Sequence, residues 1–240
     1  MNQKGKLYLI PSPLGAIQPL TILPLSVKMA VEKINHYVVE HEKHARRYIK
    51  SIHSSKNLDK LHFSQINKFT SPEEIPAMLQ PLYDGYDMGI ISDAGCPGIA
   101  DPGAQIVALA HENNIRVIPL VGPSSILLGL MASGLNGQQF AFHGYLPIDR
   151  KERHQELKKL ERQSKTNNQT QIFIETPYRN TQMLEFLIQT LHPTTLLCVA
   201  CDLTLPTEFI HTAPVETWKK IKADLHKRPA VFLLLSEADY

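Results

Sequence analysis

A chain of 240 residues with 43% hydrophobic content can bury a sizeable core, enough for one large domain or two of modest size. A formal charge of +2 excludes the strongly basic and strongly acidic classes of chain, and leaves a nucleic-acid partner permitted but not demanded. Three cysteines, few and odd in number, argue against a secreted disulfide scaffold.

Short apolar runs rich in β-branched residues alternate along the chain with longer helical patterns. KLYLI (6–10) predicts the first strand and 22–34 a helix; HYVV (36–39) predicts the second strand and 43–54 a helix. A helix over 73–83 is introduced by Ser71-Pro72-Glu73-Glu74, which combines a capping serine, a proline and a capping-box glutamate. MGII (88–91) leads to a helix over 103–113, for which Asp101-Pro102 repeats the cap-then-proline pattern. RVIPL (116–120) precedes a helix over 124–133 that Gly134 ends. Beyond it come strands FAFHG (140–144) and TQIFIE (170–175) around a charged helix at 151–165. Helix 178–190, strands TLLCVAC (195–201) and EFIHT (208–212), helix 215–226 and strand AVFLLL (230–235) complete the set. This alternation implies an α/β protein with parallel or mixed sheets covered by helices on both faces. A boundary near 120–125 divides it into an N-terminal domain, 1–121, and a C-terminal domain, 122–240.

Apolar runs such as ILLGLMA (126–132) and AVFLLL are too short to span a bilayer, and LYLI is too short for a signal-peptide core. The expected setting is the cytoplasm, with no membrane partner. Cys198 and Cys201 have the spacing of a metal pair but lie on a strand, where positions three apart face opposite sides; they read as core residues.

Three loops stand out. Ser92–Gly103, SDAGCPGIADPG, packs three glycines, two prolines and two aspartates between a strand and a helix. Pro11-Ser12-Pro13-Leu14-Gly15 follows the first strand, and Val121-Gly122-Pro123-Ser124-Ser125 follows RVIPL. Ligands of open α/β sheets bind beyond the carboxyl ends of strands, so these loops predict one crevice. Their glycines admit close approach of a ligand to the main chain, and their prolines aim the amides beforehand. The chain has neither GxxxxGK[ST] nor a GxGxxG after the first strand, which argues against a P-loop or a standard dinucleotide site. With no basic residue in the loops for a phosphate chain, the expected ligand is folded and nearly neutral.

SDAGCPGIADPG, together with LIPSPLG and VGPSS, closely resembles the tetrapyrrole-methylase-like superfamily of S-adenosylmethionine-dependent methyltransferases. Within it, the chain is most similar to the ribosomal RNA small subunit methyltransferase I family, which methylates a cytidine ribose 2′-hydroxyl of 16S rRNA. The resemblance runs from Lys6 to about Leu235. It implies two α/β domains of the tetrapyrrole methylase-like fold, S-adenosylmethionine in the cleft between them, a homodimer, and no metal. Carried over by motif, the cofactor would touch Pro11, Ser92, Asp93, Ala94, Gly95, Gly122, Ser124 and Ser125, with Leu146, Pro229 and Ala230 from the second domain. The chain departs from the rRNA-enzyme pattern at Glu40-His41-Glu42-Lys43, where the family reads Glu-Asp-Thr-Arg. It departs again at Glu175-Thr176-Pro177-Tyr178-Arg179 and at Cys201-Asp202-Leu203-Thr204-Leu205. Methyl transfer is therefore the firmer implication and the 16S rRNA of the 30S subunit the looser one. A small-molecule acceptor such as a tetrapyrrole, or a binding protein without catalysis, stays open beside it.

A ribose hydroxyl attacks a methyl group only as its proton leaves, so a general base near the crevice is expected. Asp93, Glu40 and Glu175 are candidates because each follows a strand. Glu40 and Glu175 read equally well as ion-pair partners of Arg46, Arg47 or Arg179. Histidines 36, 41 and 44 suggest a metal, but no carboxylate–histidine motif is complete, and they read as surface residues. Lys43, Arg46, Arg47 and Arg179 are candidate RNA contacts, with the basic run from Arg150 to Lys165 as a further phosphate-tracking surface or a solvated helix in which Glu161 pairs with Lys165.

Overall fold

The computed structural model describes residues 3–67 and 69–236. The chain forms two compact units, Met1–Ser124 and Ser125–Tyr240.

In the first unit, β1 (Leu7–Ile10), β2 (His36–Val39), β3 (His62–Gln65), β4 (Met88–Ile91) and β5 (Val117–Pro119) build a sheet in the order β3-β2-β4-β1-β5. All its pairings are parallel. Helices α1 (Leu25–Lys33) and α2 (Glu42–Ile52) bury Val27, Val31, Ala45 and Ile49 with Ile10, Tyr37, Val39 and Ile91. On the opposite face α3 (Ile75–Met78), α4 (Gln80–Tyr83) and α5 (Ala104–Glu112) bury Ile75, Leu79, Leu82 and Ile106 with Leu7, Val38, Met88 and Ile90. Neighbouring strand residues such as Val38 and Val39, or Ile90 and Ile91, thus serve different faces, as the pleat requires. A strand covered on both sides must be apolar throughout, which is why β4 reads MGII and is buried at every position.

In the second unit, β6 (Phe140–Tyr145), β7 (Thr170–Ile174), β8 (Leu196–Cys201), β9 (Phe209–Pro214) and β10 (Ala230–Leu235) take the order β6-β7-β10-β8-β9. The β6–β7 pair is parallel and the other three are antiparallel, a mixed sheet. Helices α7 (Arg150–Asn167), α8 (Asn180–Thr190) and α9 (Val215–Trp218) cover one face with Leu157, Leu160, Leu187 and Trp218. Helix α6 (Ser125–Ser133) lies on the other. Its Gly129 faces the sheet, where an added Cβ would make ordinary contact, 3.5 Å, with Ala200 Cβ and Leu233 Cδ1. Cys198 and Cys201 are both fully buried, in line with a core role.

Several local expectations are corrected. Strand β3, HFSQ, carries no apolar signal because it is a sheet edge with both ends exposed; its pairing with β2 alone defines it. The helix expected over 73–83 begins at Ile75 and breaks into α3 and α4. Glu74 reaches the Ser71 N–H only at 3.5 Å. Asp101 does not cap α5: that helix starts at Ala104, and its N-cap is Gly103 at φ 123°, with no side-chain cap. The helix expected over 215–226 ends at Trp218, whose indole N–H is held by the Leu197 carbonyl at 2.9 Å. Beyond it the Asp224 carboxylate accepts the His226 N–H at 3.1 Å and Lys227 adopts φ 59°, both turn features. Glu161 is no partner on a solvated helix face. It is 8% exposed and accepts from the His192 N–H at 2.6 Å, the Thr195 hydroxyl at 2.8 Å and the Lys158 ammonium at 2.9 Å.

Candidate active site

The loops after β1, β4 and β5 interlock at the carboxyl end of the first sheet. β1 and β4 are adjacent, yet β1 connects toward β2 on one side and β4 toward β5 on the other, the arrangement that opens a crevice in a parallel sheet. Ser12 and Gly95 form a two-way main-chain bridge, N–H to carbonyl at 2.8 and 3.0 Å. The Ser12 hydroxyl donates to the Ser92 carbonyl at 2.7 Å, and the Ser92 hydroxyl to the Gly95 carbonyl at 3.1 Å. Both serines are buried, so these bonds take the place of water for them. Gly95 has φ 78°, a conformation that disfavours any side chain. Pro11 offers its carbonyl to the Tyr48 hydroxyl at 2.6 Å, and its ring lies so close to Gly122 that a Cβ there would stand 2.2 Å from two ring carbons. The Cys96 thiol reaches the Pro123 carbonyl at 3.4 Å and ties the β4 loop to the β5 loop.

Pro11, Ser92, Asp93, Ala94, Gly95 and Gly122 are therefore brought together within one unit, with Ser124 at its end and Ser125 opening α6. Leu146 belongs to the second unit, where its side chain is 3% exposed in the core. Ala230 begins β10, and Pro229 accepts the Asp202 N–H at 3.0 Å.

Beside the loops lies a cavity of about 530 Å³, within the range of small-molecule sites. Ser12, Leu14, His44, Arg47, Tyr48 and Asp93 are among its lining residues. Beyond the carboxyl ends of β2 and β4 the carboxylates gather. Glu40 accepts the Asp93 N–H at 3.1 Å, and the Asp93 Oδ2 stands 2.7 Å from His41 Nδ1 and 3.0 Å from His44 Nδ1. Burial, together with the negative charges of Glu40 and Asp93, pushes the Asp101 carboxyl up to about 7.

The remaining expected residues have other settings. Glu175 is 5% exposed in the second unit, and its carboxylate accepts Arg179 at 2.7 Å and the Thr176 N–H at 2.5 Å. Arg46 binds Glu42 at 2.7 Å and the Leu58 carbonyl at 2.9 Å, and lies over the Phe63 ring. Lys43 is exposed on α2, and Arg47 faces the cavity. Sequence reasoning overlooked Tyr48, which binds the β1 loop from a helix whose candidate contacts, Lys43, Arg46 and Arg47, are picked for their charge. It also passed over the partnership of His41 and His44 with Asp93. No local signal announces either, since each pair is joined across two strands.

The model of the tetrapyrrole (corrin/porphyrin) methylases matches residues 6–218. The chain belongs to that family. It is an S-adenosylmethionine-dependent methyltransferase with the tetrapyrrole methylase fold. The ribosomal RNA small subunit methyltransferase I of Escherichia coli O157:H7 is 32% identical over 237 residues, 98% of this methylase and 79% of the relative. The protein of the same name from Vibrio cholerae is 29% identical, over 95% and 76% of the two chains. Among solved structures, the methyltransferase CobJ superposes with a TM-score of 0.64 at 16% identity, covering 97% of this chain and 94% of that one. A uroporphyrin-III C-methyltransferase from Thermus thermophilus, complexed with S-adenyl homocysteine, gives 0.56 at 16% identity, with 96% and 97% covered. At such identities the structures bear on the fold alone. Among the described residues, no helix is long and apolar enough to cross a membrane.

Proposed function

We propose that this methyltransferase methylates a ribose 2′-hydroxyl of ribosomal RNA in the small subunit, and that it works in the cytoplasm as a homodimer. The observation that carries the acceptor is the 32% identity to a ribosomal RNA small subunit methyltransferase I along nearly the whole chain.

The interlocked loops suit the cofactor. Pro11, the turn Ser92–Gly95, Gly122 and Ser124 would hold it by main-chain groups, and Gly95 and Gly122 let the loops pack against Leu14 and Pro11 without a Cβ in the way. Bound there, S-adenosylmethionine would supply an electrophilic methyl group, with a neutral thioether as the leaving group. The protein's part is to align the hydroxyl and take its proton. Glu40, whose carboxylate accepts the Asp93 N–H where two adjacent strands end, is the residue proposed to take the proton. Glu175 is better read as the anchor of Arg179, an ion pair in which the carboxylate is wholly enclosed. Lys43 and Arg47 on α2 remain free to meet RNA phosphates, while Arg46 is engaged within its own unit.

The test is to incubate the protein and methyl-labelled cofactor with 30S subunits from a strain lacking the gene, and in parallel with uroporphyrinogen. Label confined to one rRNA nucleotide supports the proposal. Label in the macrocycle alone replaces it with a small-molecule methylase. Light scattering after gel filtration tests the dimer.

A further inference from the structure

We propose that His41, His44 and Asp93 form a binding site for a divalent transition-metal ion of the zinc class. The inference does not depend on the acceptor proposed above.

The site is assembled by strand pairing. β2 and β4 run side by side in parallel with Val39 opposite Ile91, so the residues two beyond each, His41 and Asp93, emerge together at the carboxyl end. His41 stands at the N-cap of α2, and His44 follows three residues later, a spacing that puts both side chains on one face of the helix start. The result is two imidazoles that each aim Nδ1 at one carboxylate oxygen, at 2.7 and 3.0 Å. The three ligand atoms all lie within 4.8 Å of one another.

The chemistry of this donor set is specific. Two imidazole nitrogens and a carboxylate oxygen are ligands of zinc, cobalt and nickel rather than of calcium or magnesium, which take oxygen donors. Metal–ligand bonds of about 2.0–2.2 Å place tetrahedral donors roughly 3.3–3.5 Å apart, so small side-chain shifts would open the present cluster around an ion. Three protein ligands leave a fourth position for water or another small ligand. The surroundings favour a cation. Asp93 has no lysine or arginine partner among the described residues, and Glu40 bonds its N–H. Side-chain exposures of 64% for His41, 57% for His44 and 34% for Asp93 leave an entry path and argue that substitutions there will spare the fold.

The experiment uses the full chain without a polyhistidine tag, stripped with EDTA, and titrated calorimetrically with zinc and spectroscopically with cobalt. One equivalent is expected to bind, with visible cobalt bands of low-coordinate nitrogen–oxygen ligation. Asp93→Asn and His44→Ala should each weaken zinc by more than about 100-fold, beyond the 10–100-fold that losing an outer partner of a metal ligand costs. A His36→Ala/His62→Ala variant is the control. Those rings stack on each other at 4.7 Å at the opposite end of β2, and the variant should bind zinc as the parent does. Circular dichroism verifies that each variant is folded. No saturable binding, or binding that survives in Asp93→Asn and His44→Ala, or binding lost in the control, would overturn the proposal and leave a hydrogen-bonded histidine–aspartate cluster.

Discussion

Replacing Gly122 by alanine probes the joint on which the crevice depends. An added Cβ would sit 2.2 Å from the Pro11 Cβ and Cγ, against 3.4 Å for ordinary contact, an overlap of 1.2 Å. Those carbons belong to a ring that cannot rotate away, and the Pro11 carbonyl is held by Tyr48. The loops after β1 and β5 must therefore part. Overpacking of this kind costs about 1–3 kcal/mol. For a chain of 240 residues this lowers the melting temperature by roughly 2–4 °C per kcal/mol. The displaced main chain should also lose its grip on the cofactor, so affinity for S-adenosylhomocysteine should fall at least tenfold, which corresponds to about 1.4 kcal/mol. Calorimetric titration and thermal unfolding measure the two effects, with Gly137→Ala as the control because its added Cβ meets nothing within 4 Å. A Gly122→Ala protein that melts and binds like the parent would refute the interlocking of these loops.

Three further outcomes are expected. Arg228→Ala leaves the Asp202 carboxylate, 8% exposed and bonded at 2.8 Å, without its cation; it should cost about 3 kcal/mol in urea unfolding followed by Trp218 fluorescence. Burial raises the Glu161 pKa, but the bonds from His192, Lys158 and Thr195 more than offset it and hold it below the usual glutamate range. Its stabilisation is therefore full above that range and lost as pH falls through the lowered value, so the melting-point gap between parent and Glu161→Gln should close in acid. Asp101 has the opposite sign: raised to about 7 in the folded protein, it destabilises progressively as pH climbs from the ordinary aspartate range to about 7. In EDTA, Asp101→Asn should melt higher than the parent at pH 8 and match it near pH 4; equal melting at both would contradict the crowding of carboxylates around Asp101.

Much of the architecture is legible in the chain because burial imposes a period. MGII and AVFLLL must be apolar at every position to sit between two helical layers, and α2 and α5 carry their core residues at helical spacing. The loop SDAGCPGIADPG is legible for a related reason, since Gly95 and Gly103 occupy backbone conformations that other residues resist. Local chemistry misleads where two local solutions compete. Asp101-Pro102 is a sound capping signal, yet Gly103 takes the cap and leaves Asp101 among other carboxylates. Edge strand β3 is invisible because its place is set by hydrogen bonds to β2 rather than by an apolar pattern of its own side chains.

The sequence by itself determined the two α/β units, the family and the three Gly- and Pro-rich loops, because each is written in residues close together along the chain. Only the tertiary structure decided what the polar groups do. Glu175 with Arg179 is a local pair, but Glu161 with His192, Tyr48 with Pro11, and Asp93 with two histidines are joined by folding across 31, 37, 52 and 49 residues. A hydrogen bond depends on distances of a few tenths of an ångström. Those distances are set by strand register and helix packing, which no short stretch of sequence contains.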